Sequence, residues 1–196
     1  MVQAVFMIVK FTQKLEVMAA KTKVIYWLAS KYYKDIVQKE IALANITSND
    51  NVLFVGGGIC PLTAILLHQE TGAKITVIDN DSHCIPKAQA TVNCLGLADF
   101  IRVIHQDGGN ADFSLTEYSI IHFAMQVTPM WHVFSQIERR VVSGTKLLVR
   151  RPKKGVCKLY SHLFFHSCKN CRSATHKKTC NVGSTLLYVK EAEVTA

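Results

Sequence analysis

Three consecutive glycines, Gly56-Gly57-Gly58, stand between an apolar run, Val52–Val55, and a helix-forming segment that Pro61 opens. An apolar, partly β-branched run that ends on glycine is the pattern of a buried strand turning sharply. Pro61 suits a first helical turn because the amide it lacks has no intrahelical partner there, and Leu62–His68 continues the helix. Together these pieces form a cradle. Glycine lets a ligand approach the backbone, and the free amides of a helix start favour a negative or polar group. Alone, the pattern fits any tight turn in an α/β core.

Two acids downstream sharpen it. Lys74–Asp79 reads as a second strand that ends on a carboxylate about 20 residues past the glycines, where ribose hydroxyls would be met. Phe100–His105 reads as a third strand, and Gln106-Asp107-Gly108 puts another acid at its end, where the adenine of S-adenosylmethionine (SAM) is contacted in the SAM version of this fold. The order glycine loop, Asp79, Asp107 is that of a SAM site. Its expected residues are Gly56, Gly57, Gly58, Pro61 and Thr63 from the loop and helix start, then Asp79 with Asn80, and Asp107 with Gly108. The exit of a fourth strand, Met125-Gln126-Val127-Thr128-Pro129, should form the far lip, with Ala124 and Met125 as its expected cofactor-binding residues. A nicotinamide dinucleotide fits less well, because Gly-Gly-Gly-x-x-Pro lacks the later glycine needed for helix–strand packing. Walker spacing is absent, as is an Asn-Pro-Pro-Tyr-like motif for methylating a nucleobase amine.

The elements that must position these residues alternate strand and helix. Residues 1–30 read as helix, with Met1–Lys10 as a strand or dimer contact. Ser30 is an expected N-cap for a helix over Lys31–Asn45, whose Tyr33, Ile36, Val37, Ile41 and Ala44 share an apolar face. That helix should lie across the mouth of the site. A helix ending near Cys94 and Gly96, a strand over Tyr118–Ala124, a helix over Trp131–Val142 and a strand over Thr145–Arg150 follow. Leu159–Phe165 and Thr185–Lys190 read as a closing antiparallel pair. The expected fold is α/β, a mostly parallel sheet with an antiparallel C-terminal edge. Its division is a helical N-terminal cap, 1–46, and a SAM-binding Rossmann-like domain, 47–196.

The 196 residues suffice for one domain with a sizeable core, and no apolar run is long enough to span a bilayer. With no signal-peptide pattern at Met1–Phe11, the chain is expected to be cytoplasmic. Its seven cysteines are then expected to form no structural disulfides. The net charge of +9 is uneven: Arg139–Lys190 contains no Asp or Glu, so it could face nucleic acid, an anionic substrate, an acidic partner or merely solvent. His162-x3-His166-x-Cys168-x2-Cys171, with Cys180 and His176 nearby, has metal-like residue types but a single Cys-x2-Cys, so no metal is assigned. His122, inside an apolar strand, is expected to be a satisfied core histidine.

The order of elements is similar to that of class I SAM-dependent methyltransferases, with one departure: Phe54 stands where an acid usually precedes the first glycine. Within that superfamily, V-G-G-G-I-C-P-L-T-A-I-L-L most resembles nicotianamine synthase, whose loop also lacks the acid and continues Pro-Leu-Thr. Tyr32-Tyr33-x-x-Ile36-x-x-x-Glu40 is similar to that family's tyrosine-bearing helix. Leu148–Gly155, Leu159-Tyr160 and Gly183–Leu187 are similar to its last strands, so the resemblance runs over about residues 30–190. It implies transfer of the 3-amino-3-carboxypropyl arm of SAM to an amine, with methylthioadenosine released. It also implies that Tyr33, the candidate catalytic residue, sits near the methionine part of SAM, and that Ala124–Gln126 lines the acceptor side. The family carries a larger helical region before the sheet, with a glutamate that handles the amine. Here about 45 residues precede the first strand, Glu16 and Glu40 are their glutamates, and Glu40 is expected to face solvent.

The sequence therefore points to a SAM-dependent transferase that moves an aminocarboxypropyl or methyl group to a small amine-type acceptor. The alternatives are an ordinary methyltransferase with an anionic or nucleic-acid substrate, and a SAM- or metal-binding module without turnover. Nucleic acid is not the favoured partner, no membrane is expected, and a homodimer would cover the apolar start of the chain.

Overall fold

The computed structural model describes residues 23–110, 112–160 and 171–192. The apolar start at Met1–Lys10, Glu16, and His162, His166 and Cys168 of the cluster lie outside them, as does 161–165 of the expected strand.

Five parallel strands make the body of one seven-stranded sheet: β1 (Asn51–Val55), β2 (Lys74–Asp79), β3 (Ile101–His105), β4 (Ile120–Phe123) and β5 (Lys146–Pro152). The last two are β6 (Arg172–Thr175) and β7 (Val182–Val189), and the spatial order is β3-β2-β1-β4-β5-β7-β6. β7 runs antiparallel to both β5 and β6, as the expected antiparallel C-terminal edge requires. The described partner of β7 at that edge is β6; of the expected strand, Leu159 ends a short 3-10 helix over Lys154–Leu159, and 161–165 lies outside the described residues. Central strands covered on both faces read as continuous apolar runs, which is why Val52–Val55 is buried throughout.

Period-2 alternation divides the side chains between two faces. On one, Val52, Phe54, Ile75, Val77, Ile120, Leu148 and Leu187 pack beneath α1 (Lys23–Ala44), α2 (Leu62–Thr71) and Val92 of α3 (Ile85–Cys94). On the other, Leu53, Val55, Ile121, Phe123, Leu147 and Val149 meet α4 (Met130–Arg140), whose Met130, Val133, Phe134 and Ile137 recur at helical spacing. α1 is a single helix through Ser30, so the expected N-cap there is wrong: the Ser30 hydroxyl is buried without a hydrogen bond. The helix ends at Asn45, which takes a positive φ of 50°. Of Cys60, Cys84 and Cys94, whose places in core-like elements predict buried thiols, Cys60 and Cys84 are buried and Cys94 is exposed at the end of α3, while Cys171 is disulfide-bonded, against the expectation of none.

Glu40 overturns a larger expectation. Rather than facing solvent, it is fully buried between α1 and the sheet. Arg150 of β5 donates from Nε to Glu40 Oε1 and from Nη2 to Oε2, both at 2.8 Å. Thr185 of β7 donates to Oε1 at 2.6 Å, and His122 Nε2 lies 3.2 Å from Oε2. Burial alone would raise the Glu40 pKa, but Arg150 and His122 outweigh it and hold the carboxyl well below its usual range. Because the Thr185 hydroxyl donates to Glu40, it must accept from His176, whose Nε2 is 2.8 Å away.

Burial depresses the pKa of both His122 and His176, more than Glu40 raises it. A histidine held neutral in the fold binds fewer protons than in the unfolded chain, so stability falls as pH drops below the ordinary histidine range near 6.5. Each imidazole adds a slope of at most about 1.4 kcal/mol per pH unit. We expect the melting temperature to fall between pH 7.5 and pH 5.5, and to fall less in His122→Phe; a flat profile in the unaltered protein would contradict this. At the end of β1, a Cβ built on Gly57 would lie 2.1 Å from Val77 Cγ1. Gly57→Ala should therefore cost roughly 1–3 kcal/mol of overpacking, read from denaturant unfolding.

Candidate functional site

β1 leads outward to β2 on one side and is joined by β4 on the other. Such a reversal in strand order opens a crevice at the carboxyl ends of the strands, where α/β sheets place ligands. Every site residue read from the sequence lies on a strand exit there, on the helix start that follows β1, or on α1.

The glycine loop is shaped first by the backbone. Gly56 takes φ +85° and Gly58 φ +60°, and the amides of Gly56 and Gly57 donate to Ile78 O at 2.8 and 3.3 Å. The Gly58 amide donates to Asp79 Oδ2 at 2.7 Å, while Asp79 Oδ1 accepts from the Asp81 amide at 3.0 Å. Asp79 therefore fastens the glycine turn, and a carboxylate's roughly four lone-pair sites leave room for ligand hydroxyls. Asn80 is exposed, with its carbonyl 3.2 Å from His105 Nε2. Gln106 donates to Asp79 O at 3.0 Å, so Asp107 begins one residue beyond. Asp107 is exposed and accepts from the Gly109 amide at 2.8 Å.

Gly108 is buried, where a Cβ would press on Val55 and Val133 at 3.0 Å. Its carbonyl accepts from Arg140 Nη2 at 3.0 Å, and Arg140 Nη1 also donates to Asn110 O and Phe113 O. One guanidinium from α4 thus holds the irregular chain after β3.

On the far lip, the Ala124 amide donates to Val55 O at 3.0 Å, and Ala124 O accepts from Val127 at 3.2 Å. A Cβ on Gly56 would sit 3.3 Å from Ala124 Cβ and 3.0 Å from Val127 Cγ2, so this lip closes directly on the glycine loop. Met125 is buried with Ile36 and Val182, against Tyr32, Tyr33 and Tyr160. α1 thereby reaches the exit of β4, as expected of a helix across the mouth. Tyr33 is half-buried, edge-on to Tyr32 with ring centroids 5.1 Å apart, and Arg150 Cζ stands 5.7 Å from its centroid. Pro61 is buried and its carbonyl accepts from Ile65 at 3.0 Å. Thr63 Oγ1 accepts from Arg150 Nη1 at 3.0 Å, which ties it to the buried ion pair.

Glu40, Arg150 and Thr185 are the residues that sequence reasoning missed. A signal existed for Glu40: with Tyr33, Ile36, Val37 and Ala44 it falls at helical spacing on the apolar stripe. His122 is only half satisfied, since its Nδ1 is buried without a partner in the structure. Its ring stacks on Phe54 at 4.5 Å. Phe54 is the residue in place of the usual acid, and it faces the core. Of the His/Cys cluster, Cys171 is in its disulfide, His176 is buried against Thr185, and Cys180 is an exposed thiol. Among the described residues no group of three potential ligands could hold a metal. No described helix is long and apolar enough to cross a membrane.

The chain is similar to proteins that place this geometry in context. The family model described as nicotianamine synthase protein matches residues 26–173. A curated L-histidine 2-aminobutanoyltransferase from Yersinia pestis is 26% identical over 151 residues, 75% of this chain and 55% of that protein. One of the same name from Pseudomonas aeruginosa is 28% identical over 116 residues, 58% of this chain and 43% of the relative. The chain thus spans about half the length of the curated relatives it matches. Among solved structures, a mutant of MtNAS in complex with S-adenosylmethionine superposes with a TM-score of 0.76 at 23% identity, covering 94% of this chain and 74% of that one. An RNA methyltransferase from Salinibacter ruber in complex with S-adenosyl-L-homocysteine gives 0.62 at 17% identity, covering 82% and 93%. The fold is that of the class I SAM-dependent methyltransferases, and by the model that spans most of its length this chain belongs to the nicotianamine synthase family.

Proposed function

We propose that this protein binds SAM in the crevice at the β1/β4 reversal and transfers its 3-amino-3-carboxypropyl arm to a small amine-type acceptor. The observation that carries this reading is the packing of Tyr33 on α1 against the cluster that Ile36 forms with Met125 at the β4 exit, beside a glycine loop fastened by Asp79. The donor set suits the cofactor chemically: carboxylates for ribose and adenine polar groups, glycine backbone for close approach, and an aromatic wall beyond. SAM would supply an electrophilic carbon next to a sulfonium: the acceptor nitrogen's bond to that carbon would form as the carbon–sulfur bond breaks, methylthioadenosine would leave as a neutral thioether without an acid, and the proton shed by the nitrogen would pass to solvent.

The chain's own contribution is then positioning. Asp79 and Asn80 hold the ribose, Asp107 and Gly108 the adenine end, and Gly56, Gly57, Gly58, Pro61 and Thr63 the side nearest the loop. Tyr33 meets the methionine arm and fixes which carbon faces the acceptor, a geometric choice that effective molarity amplifies. Ala124 and Met125 line the acceptor side. The relatives' names support an amino-acid-like acceptor for this chain too. Residues 1–46 belong to this reading as a cap over the domain 47–196, as do a cytoplasmic location and a homodimer.

Two measurements test it. Calorimetry should show SAM and methylthioadenosine binding, and turnover with amine acceptors should release methylthioadenosine. Release of S-adenosylhomocysteine instead would make the protein a methyltransferase, and no binding of either ligand would remove the reading. Asp79→Ala should weaken SAM by about 1–3 kcal/mol, since it removes a charged acceptor and frees the Gly58 amide. Unchanged affinity in a folded Asp79→Ala protein would take Asp79 out of the site.

A further inference from the structure

Arg150 of β5 touches three residues on two helices that wall the crevice, Glu40 and Tyr33 on α1 and Thr63 on α2, and the proposed function leaves it without a role. Its Nε and Nη2 grip both oxygens of Glu40 on α1 at 2.8 Å. Its Nη1 reaches Thr63 in the first turn of α2 at 3.0 Å. Its face lies over the Tyr33 ring, 5.7 Å from the centroid. Tyr33 also packs edge-on with Tyr32, whose hydroxyl donates to Asn181 Oδ1 and accepts from the Cys180 amide, both at 2.9 Å.

Stability is a poor reason for this arrangement. Desolvating both charges offsets most of their attraction, and well-packed apolar groups of like volume commonly do as well. The neighbouring row of the same strand pair, Leu148 opposite Leu187, uses that apolar solution. What an apolar pair cannot do is bond in three directions at once. A guanidinium has a rigid planar fork that a lysine ammonium lacks. Here the fork fixes Tyr33 and the start of α2 relative to each other, across a gap that no backbone hydrogen bond spans.

We propose that Arg150, oriented by Glu40, is a positioning residue that shapes the methionine end of the SAM pocket through Tyr33 and Thr63, and so sets selectivity for ligands that carry the arm. This rests on the function proposed above. The nucleoside end is held separately, by Asp79 on the glycine loop and Arg140 on the chain after β3. Loosening Arg150 should therefore weaken SAM while sparing methylthioadenosine, which lacks the arm.

The test is calorimetry with both ligands on the full chain, its Arg150→Lys variant, and the double variant Glu40→Gln with Arg150→Met, which buries no net charge. Both variants should bind SAM about tenfold more weakly, and methylthioadenosine within about twofold of the unaltered protein. Equal losses for the two ligands would mean a general structural role and overturn the proposal, as would no loss for either. Full SAM affinity in Arg150→Lys would show that charge suffices without the fork, and would overturn it too. Should neither variant fold, the network is a requirement of folding and the positioning role is withdrawn. Failure of the unaltered protein to bind either ligand would instead be the failure of the proposed function.

Discussion

A fully buried ion pair is the constraint around which this fold is arranged. Glu40 and Arg150 come from elements 110 residues apart in sequence, and neither charge can be left alone in the interior. An unpaired carboxylate there would be expelled or protonated, so α1 has one acceptable depth and rotation over the sheet. That single setting brings Ile36 and Tyr33 against Met125 and aligns Ala44 so that its carbonyl accepts from Lys146 Nζ at 2.7 Å. The pair therefore does for a helix what register does for a strand: it rejects neighbouring placements that would bury similar apolar area.

The two faces of the sheet achieve cover differently. Three helices lie over the face that carries Glu40's partners, whereas α4 is the one described helix packed on the other. Between β3 and β4 that second face is closed by irregular chain whose Leu115 and Tyr118 reach the core. Irregular chain leaves carbonyls without ladder partners, and buried acceptors must be satisfied. Arg140 answers by donating to three of them, and burial depresses its pKa without removing its charge. Asp107 stands at the head of that segment, so the side of the crevice proposed to take the adenine depends on a side chain from α4.

How legible the site was in the sequence follows from the range of the interactions. The glycine loop, Asp79 and Asp107 are legible because each marks a strand exit, and parallel α/β topology brings successive exits to one edge. Glu40 misled because a glutamate on a helix is ordinarily solvated; its place on the apolar stripe meant something only once Arg150 was seen opposite. Arg150 itself closes an apolar strand, where a basic residue usually marks the return to solvent. Ser30 has the right chemistry for a cap, yet the helix runs through it, since propensity yields to tertiary packing. The Cys171 disulfide and β6 lie in the hairpin, whose sequence carries little periodicity.

The same distinction divides the proposed pocket by function. Its nucleoside half is built from contacts between neighbouring strand ends: Gly58 with Asp79, Gln106 with Asp79, Asp107 with Gly109. Parallel topology brings these strand exits to one edge, so a carboxylate at each exit and Arg140 behind them suffice to build this half. The arm-facing half is built from side chains that meet across 87 to 145 residues, Thr63 with Arg150 and Thr185 with Glu40 among them. Those contacts require particular residues at particular depths, and they adjoin Tyr33. In the proposed reaction the choice of which carbon is offered to an acceptor must be made where ligands differ, and methylthioadenosine lacks both the arm and the sulfonium charge of SAM. In the proposed reading specificity therefore falls to the half that topology does not supply, and the buried ion pair beside Tyr33 is where it would be set.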